Sequence, residues 1–158
     1  MGLKNGVFWL VAIISLSLDQ ATKYWVVQNF NLFETQPLIP GIFHFTYVRN
    51  TGAAFSLLAG RADLLRWLSL LVSLGLMAYA LFGGKLKKLE QISFGLLLGG
   101  AMGNGIDRFI FGSVVDFIDL RFINFAVFNL ADISINLGIL CWLIESFSKP
   151  RSDRNSRS

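Results

Sequence analysis

The stretch Gly103–Asn136 reads GNGIDRFIFGSVVDFIDLRFINFAVFNLADISIN. It leaves one hydrophobic segment, crosses a short polar and aromatic connection, and enters another. It carries four aspartates, Asp107, Asp116, Asp119 and Asp132. Asp116 follows the first segment closely, and Asp132 falls about one turn into the second. A hairpin of two membrane helices brings those two carboxylates to the same depth near one membrane face. Ionisable groups at such positions are expensive and are retained for function. Two acids sharing a small, partly dry site do not both ionise easily, so one keeps its proton. The pair then supplies a base and an acid in one place.

Working outward, the rest of the chain is just as apolar. Of 158 residues, 54% are hydrophobic, and the mean hydropathy is +0.57. A soluble domain is nearer 45–50% apolar, so the composition points to a membrane protein. Four runs, at roughly 6–27, 65–82, 92–112 and 127–147, are each long enough to span about 30 Å of hydrocarbon. The fold class expected is an all-α integral membrane protein. It has four transmembrane helices and a small outward-facing β-sheet between helices 1 and 2. Residues 1–150 form one membrane-embedded domain, and the polar residues 151–158 form a disordered tail. The first run reads as a retained helix rather than a cleavable signal peptide. Asp19 and Lys23 interrupt its far end, and no small-residue cleavage pattern follows.

Charge sets the orientation. Lys4, Lys85, Lys87, Lys88, Lys149, Arg151, Arg154 and Arg157 all fall on one side of a four-helix topology. Lys23, Arg49, Arg61, Arg66, Arg108 and Arg121 share the other side with most of the acids. The cationic 83–91 loop and the basic tail place both termini in the cytoplasm. Segments 28–64 and 113–126 then face outward. The cationic tail suits anionic lipid better than nucleic acid. Cys141 is the single cysteine, so no disulfide or Cys-pair metal site exists. The lone His44 sits in the alternating stretch IFHFTYV and reads as a strand residue.

Several polar residues gather around the outer ends of the runs. Asp19 and Lys23 lie four apart on helix 1 and form an i,i+4 contact; Lys23 reads as a structural ion-pair partner. Tyr24 and Trp25 mark the outer interface. In RNTGAAFSLLAG, Asn50 offers donor and acceptor, and Gly52 lets a ligand or backbone approach closely. Gly95, Gly99 and Gly103 form a small-residue stripe that permits close helix contact in lipid. Arg108 is available to hold a carboxylate elsewhere in the site. The 113–126 segment reads as a surface-lying stretch or lid, with Asp119 and Arg121 on its solvated edge. Asn129 stands where helix 4 begins, and Asp132 and Asn136 share one face of it.

The stretches DQATK (19–23), YVRNTGAAF (47–55), GNGIDR (103–108), VVDF (114–117) and FNLAD (128–132) resemble those of lipoprotein signal peptidase, the type II signal peptidase of bacteria. The resemblance covers nearly the whole chain. It implies an aspartyl endopeptidase of the cytoplasmic membrane, monomeric and without cofactor or metal. Its substrate would be a prolipoprotein carrying diacylglycerol on its lipobox cysteine, cut before that cysteine. Globomycin-type peptides would inhibit it. The catalytic pair falls on Asp116 and Asp132, and the supporting polar residues on Asp19, Asn50, Asn104, Arg108 and Asn129.

Other classes fit less well. A proton- or ion-coupled transporter would place acids along a path, and here they gather at one face. A structural membrane subunit would use its acids to pair Arg49, Arg108 and Arg121. A Ser-Lys peptidase has only Lys23 near the outer face, with no obvious serine partner. Two carboxylates also suit a divalent metal, which a chelator would reveal.

Overall fold

The computed structural model describes residues 4–52, 61–123 and 125–148. The tail expected to be disordered lies outside them, as does most of GAAFSLLAG. The described residues form α1 (Gly6–Asn29), β1 (Thr35–Ile39), β2 (Phe43–Asn50), α2 (Ala62–Phe82), α3 (Lys88–Phe111), β3 (Val114–Leu120) and α4 (Leu130–Phe147). A single 3-10 turn, Arg121–Ile123, follows β3. The four helices match the four apolar runs, with ends shifted by a few residues.

Helix α3 is the hub of the bundle, packing against α1, α2 and α4. Its glycines make that possible, because each marks a face where another helix comes close. A Cβ on Gly95 would lie 2.7 Å from the Phe8 carbonyl of α1, and one on Gly99 or Gly103 would collide with Ser15 or Asp19. The stripe expected to permit close contact therefore faces α1. A different face, at Gly100, meets α4: a Cβ there would lie 2.5 Å from the Ala131 carbonyl. Beside it Ser93 Oγ donates to the Gly138 carbonyl at 2.8 Å, tying α3 to α4.

The outside of the bundle is apolar and its interior holds the charges. Ile13, Leu71, Leu140 and Trp142 are exposed. Asp19, Lys23, Asp107, Asp116 and Asn129 are buried. Helices α2 and α4 are each long and apolar enough to cross a membrane. Helices α1 and α3 carry their polar residues inward, against each other.

The sheet sits at one end of the bundle. Its strand order is β1-β2-β3, antiparallel throughout. Phe30 and Val26, at the end of α1, pack with Tyr47, Val115 and Phe117 to seat it. The third strand corrects the expectation for 113–126, and with it the placement of the whole sheet between helices 1 and 2. Gly112 takes φ 70°, a left-handed helix stop suited to glycine, and turns the chain into β3. Val48 then pairs with Asp116, and Asn50 with Val114. The acids of VVDFIDL break the apolar pattern of a strand, yet both of its faces are covered. Asp119 is a second correction. It is not a solvated edge residue but is largely buried, accepting hydrogen bonds from Thr46 Oγ1 at 2.7 Å and Arg121 Nε at 3.0 Å.

At the opposite end, Asn5 Nδ2 donates to the Ala80 carbonyl at 2.9 Å, and Asn5 Oδ1 accepts from the Leu86 amide at 3.0 Å. Lys4 reaches the Gly83 carbonyl. Lys87 pairs with Glu145 at 2.8 Å. The start of α1, the α2–α3 turn and the end of α4 thus meet at one end, with the sheet at the other.

Close packing on α3 gives a direct test. Gly100→Ala should cost about 1–3 kcal/mol, since its methyl meets backbone that must shift. Gly75→Ala, on α2 with open space around it, should cost nothing. Thermal unfolding in detergent compares the two; equal stability would mean α3 and α4 are not in close contact.

Candidate active site

Two elements deliver the two carboxylates. Asp116 is central in β3 and 1% exposed. Asp132 stands in the first turn of α4, whose N-cap is Asn129. Asn129 Oδ1 accepts from the Asp132 amide at 3.0 Å, and Asp132 Oδ2 accepts from the Asn129 amide at 3.2 Å. This reciprocal cap satisfies donors that a helix start otherwise leaves unpaired. It also aims the Asp132 carboxylate back toward β3.

Amide side chains connect the two acids. Asn129 Nδ2 donates to Asp116 Oδ1 at 2.6 Å and to Asn104 Oδ1 at 3.0 Å. Asn104 Nδ2 donates to Asp132 Oδ1 at 2.8 Å. Asn50 Nδ2 donates to Asp116 Oδ2 at 2.9 Å, and Asn50 Oδ1 accepts from the Gly52 amide at 2.9 Å. Each carboxylate therefore receives neutral donors on both oxygens. Asp116 and Asp132 line one cavity of about 430 Å3 together with Asn50, Asn104 and Arg108. Val114, Leu120, Ile123, Phe125 and Leu137 form its apolar wall. The expected hairpin pairing of Asp116 and Asp132 is what the fold provides, though through a strand and a helix rather than two helices.

The remaining site residues act from farther out. Asp19 Oδ1 accepts from the Ala131 amide at 2.9 Å, so α1 caps a free donor of α4. Arg108 was expected to hold a carboxylate. Instead its Nη2 donates to the Gly52 carbonyl at 3.0 Å and its Nη1 to the Asn104 carbonyl at 3.4 Å. Its charge stays on the cavity wall. Two residues beyond the expected catalytic and supporting set also belong here. Asp107 Oδ2 accepts from the Val115 amide at 3.1 Å and anchors β3 beside Asp116. Lys23 ion-pairs with Asp19 at 2.9 Å and Asp107 at 3.1 Å. The i,i+4 spacing revealed the first contact of Lys23; its contact with Asp107 depends on helix packing.

Burial pushes the Asp116 carboxyl up from 3.8 to about 7, with the nearby Asp132 adding to it. The Asn50 and Asn129 amides and Lys23 oppose the rise. A carboxyl of this kind holds a proton near neutral pH and can donate it.

An apolar bundle with a carboxylate-bearing cavity at one end is the build of a membrane enzyme. A solved structure described as a bacterial membrane enzyme, determined by the in meso method, shares it. The TM-score is 0.85 at 28% identity, over 97% of this chain and 94% of that one. The family model described as signal peptidase (SPase) II matches residues 11–148. The lipoprotein signal peptidase of Nostoc punctiforme is 63% identical over 149 residues, 94% of each chain. That of Microcystis aeruginosa is 63% identical over 145 residues, 91% of this chain and 94% of its own. The chain belongs to the signal peptidase II family, a family of proteases.

The raised Asp116 carboxyl has a signature in stability. An unfolded aspartate releases its proton near 3.8, while the folded one holds it to about 7. Between those values the native state binds more protons than the unfolded state, so this residue's contribution to stability falls as pH rises. Relative to the unaltered protein, Asp116→Asn should gain stability from about pH 4 to 7 and level off above. Melting in detergent across that range measures the difference; a flat difference would place the carboxyl in a wet, ordinary environment.

Proposed function

We propose that this protein is an intramembrane aspartyl endopeptidase that removes the signal peptide of prolipoproteins. It cuts before the cysteine that already carries diacylglycerol. The observation that carries this reading is the single amide network joining Asp116 and Asp132 on the wall of one cavity. The names of the relatives and the matched motifs supply the substrate class.

In the proposed reaction the two acids share one proton. The ionised partner takes a proton from a water as it attacks the scissile carbonyl. The protonated partner hydrogen-bonds the carbonyl oxygen and then helps protonate the leaving amine. The pair titrates as a unit. Asn50, Asn104 and Asn129 hold both carboxyls without neutralising either, since amides donate hydrogen bonds but carry no charge. The apolar cavity wall suits the lipid-bearing end of the substrate. Globomycin-type peptides would occupy the same space, and no cofactor takes part.

We place all four helices across the cytoplasmic membrane, the protein acting as a monomer. Helices α1 and α3 are less apolar than α2 and α4, and their buried charges Asp19, Lys23 and Asp107 pair inside the bundle. Lys23 lies 2.9 Å from Asp19 and 3.1 Å from Asp107. Lys4, Lys85, Lys87 and Lys88 gather at the end away from the sheet, which supports a cytoplasmic position for that end. The sheet and the cavity then face outward.

Two experiments follow. In detergent, with a diacylglyceryl-modified prolipoprotein, Asp116→Asn and Asp132→Asn should each lower turnover by at least about 100-fold. The double variant should be scarcely worse, since groups acting as a unit are non-additive. Asp63→Asn, exposed on α2, is the control and should remain active, and a chelator should leave the unaltered enzyme active. Substantial turnover by either folded single variant would sink the aspartyl mechanism. For orientation, a cysteine placed at Lys87 should react with an impermeant label only from the cytoplasmic side, and one at Gln36 only from outside. Outside labelling at Lys87 would reverse the topology.

A further inference from the structure

Lys23 is 3% exposed and is not among the residues that line the cavity of Asp116 and Asp132. It has three anionic or carbonyl partners. Two are the carboxylates of Asp19 and Asp107. The third is Asn104 Oδ1, at 2.9 Å. Asn104 is the residue whose Nδ2 donates to Asp132 Oδ1 at 2.8 Å. An ammonium has three donors and no acceptor, so it admits only the oxygen end of an amide. Turning the Asn104 amide over would set its NH2 group against the ammonium and its oxygen against the Asp132 carboxylate.

Asn129 cannot do this alone. Its Nδ2 also donates to Asp116 Oδ1 at 2.6 Å and to the Val115 carbonyl at 3.3 Å. Two hydrogens are thus divided among three acceptors, and the bond to Asn104 is shared. The dedicated donor to Asn104 Oδ1 is Lys23.

We propose that Lys23 is a positioning residue of the reaction: by donating to Asn104 Oδ1 it fixes the amide orientation that delivers Asn104 Nδ2 to Asp132. This rests on the aspartyl reading given above. It assigns Lys23 a role beyond charge balance between Asp19 and Asp107. The cation holds one end of an amide, and the other end holds a carboxylate of the pair. Loss of that hold takes the Asn104 donor from Asp132 Oδ1 and leaves the Asn129 amide on Oδ2 to orient the carboxyl, so turnover suffers while the cavity that receives the peptide and lipid is unchanged.

Lys23→Met and Lys23→Gln separate the two roles. Both remove the charge, and the two side chains have similar length. Only glutamine keeps an N–H that can donate to Asn104 Oδ1. Purified variants are assayed in detergent on a diacylglyceryl-modified prolipoprotein, after melting shows that each is folded. The expected result is a kcat for Lys23→Met at least tenfold below the unaltered enzyme. KM should stay within about twofold, and Lys23→Gln should recover several-fold of the lost kcat. Equal kcat in the two variants would overturn the proposal, because a structural charge-balance role treats them alike. A loss confined to KM would overturn it too, as would failure of both to fold, which makes the lysine structural. If only the methionine variant fails to fold, a kcat of Lys23→Gln within tenfold of the unaltered enzyme supports the proposal and a lower one overturns it. Asp132→Asn runs beside them. Its turnover would sink the aspartyl reading itself, whereas equal Met and Gln variants beside an inactive Asp132→Asn sink only the role of Lys23.

Discussion

A buried charge in an apolar bundle must find its partners inside the bundle. Water is remote, and an uncompensated ion there costs several kcal/mol. Most of the architecture follows from meeting that condition around one ammonium. Lys23 draws Asp19 of its own helix and Asp107 of α3 to within 3.1 Å. Each of those carboxylates also accepts a backbone N–H of another element. Asp19 takes the Ala131 amide of α4, and Asp107 takes the Val115 amide of β3. The element bearing Asp132 and the element bearing Asp116 are thus both fastened to the same ion cluster. For this to occur α1 must approach α3 closely, which the glycines at 95, 99 and 103 allow.

The layer above the ion cluster is neutral. Asn50, Asn104 and Asn129 stand between the charges and the cavity, and each donates to one or both carboxyls. Amides suit that position because they orient a carboxyl without setting its protonation by a full charge. A lysine or arginine in hydrogen-bonding contact would hold both acids ionised and leave no proton to give. Arg108 shows the same restraint. Its guanidinium bonds to the Gly52 and Asn104 carbonyls and not to either acid. The raised Asp116 carboxyl is the outcome of burial beside Asp132, which the amides and the more distant Lys23 only partly offset.

Stability and function therefore draw on the same residues. Asp19 and Asp107 hold backbone, yet they also set where the two carboxyls stand. Asn129 is at once the cap of α4 and the link between Asp116 and Asn104. The sheet contributes through register. Pairing Val48 with Asp116 and Asn50 with Val114 puts the Asn50 side chain within 2.9 Å of Asp116 Oδ2.

Much of this was legible in the chain itself. Four apolar runs determined four helices, because hydrophobic length and composition are local properties. The glycine spacing on α3 determined which stripe could meet a neighbour, and FNLAD announced the start of α4. The acids in VVDF and FNLAD marked the candidate site, since carboxylates in such apolar surroundings are costly. Tertiary structure decided the rest. Nothing local says that VVDFIDL becomes a third strand, because its partner is the distant β2 and its acids mimic a solvated edge. Nothing local sinks Asp119 beneath Thr46 and Arg121, or turns Arg108 toward carbonyls. Lys23 shows the division most clearly. Its spacing from Asp19 determined one ion pair, as helix periodicity requires. Only the approach of α3 to α1 brought Asp107 and Asn104 to the same ammonium, because contacts between elements depend on packing and not on sequence distance.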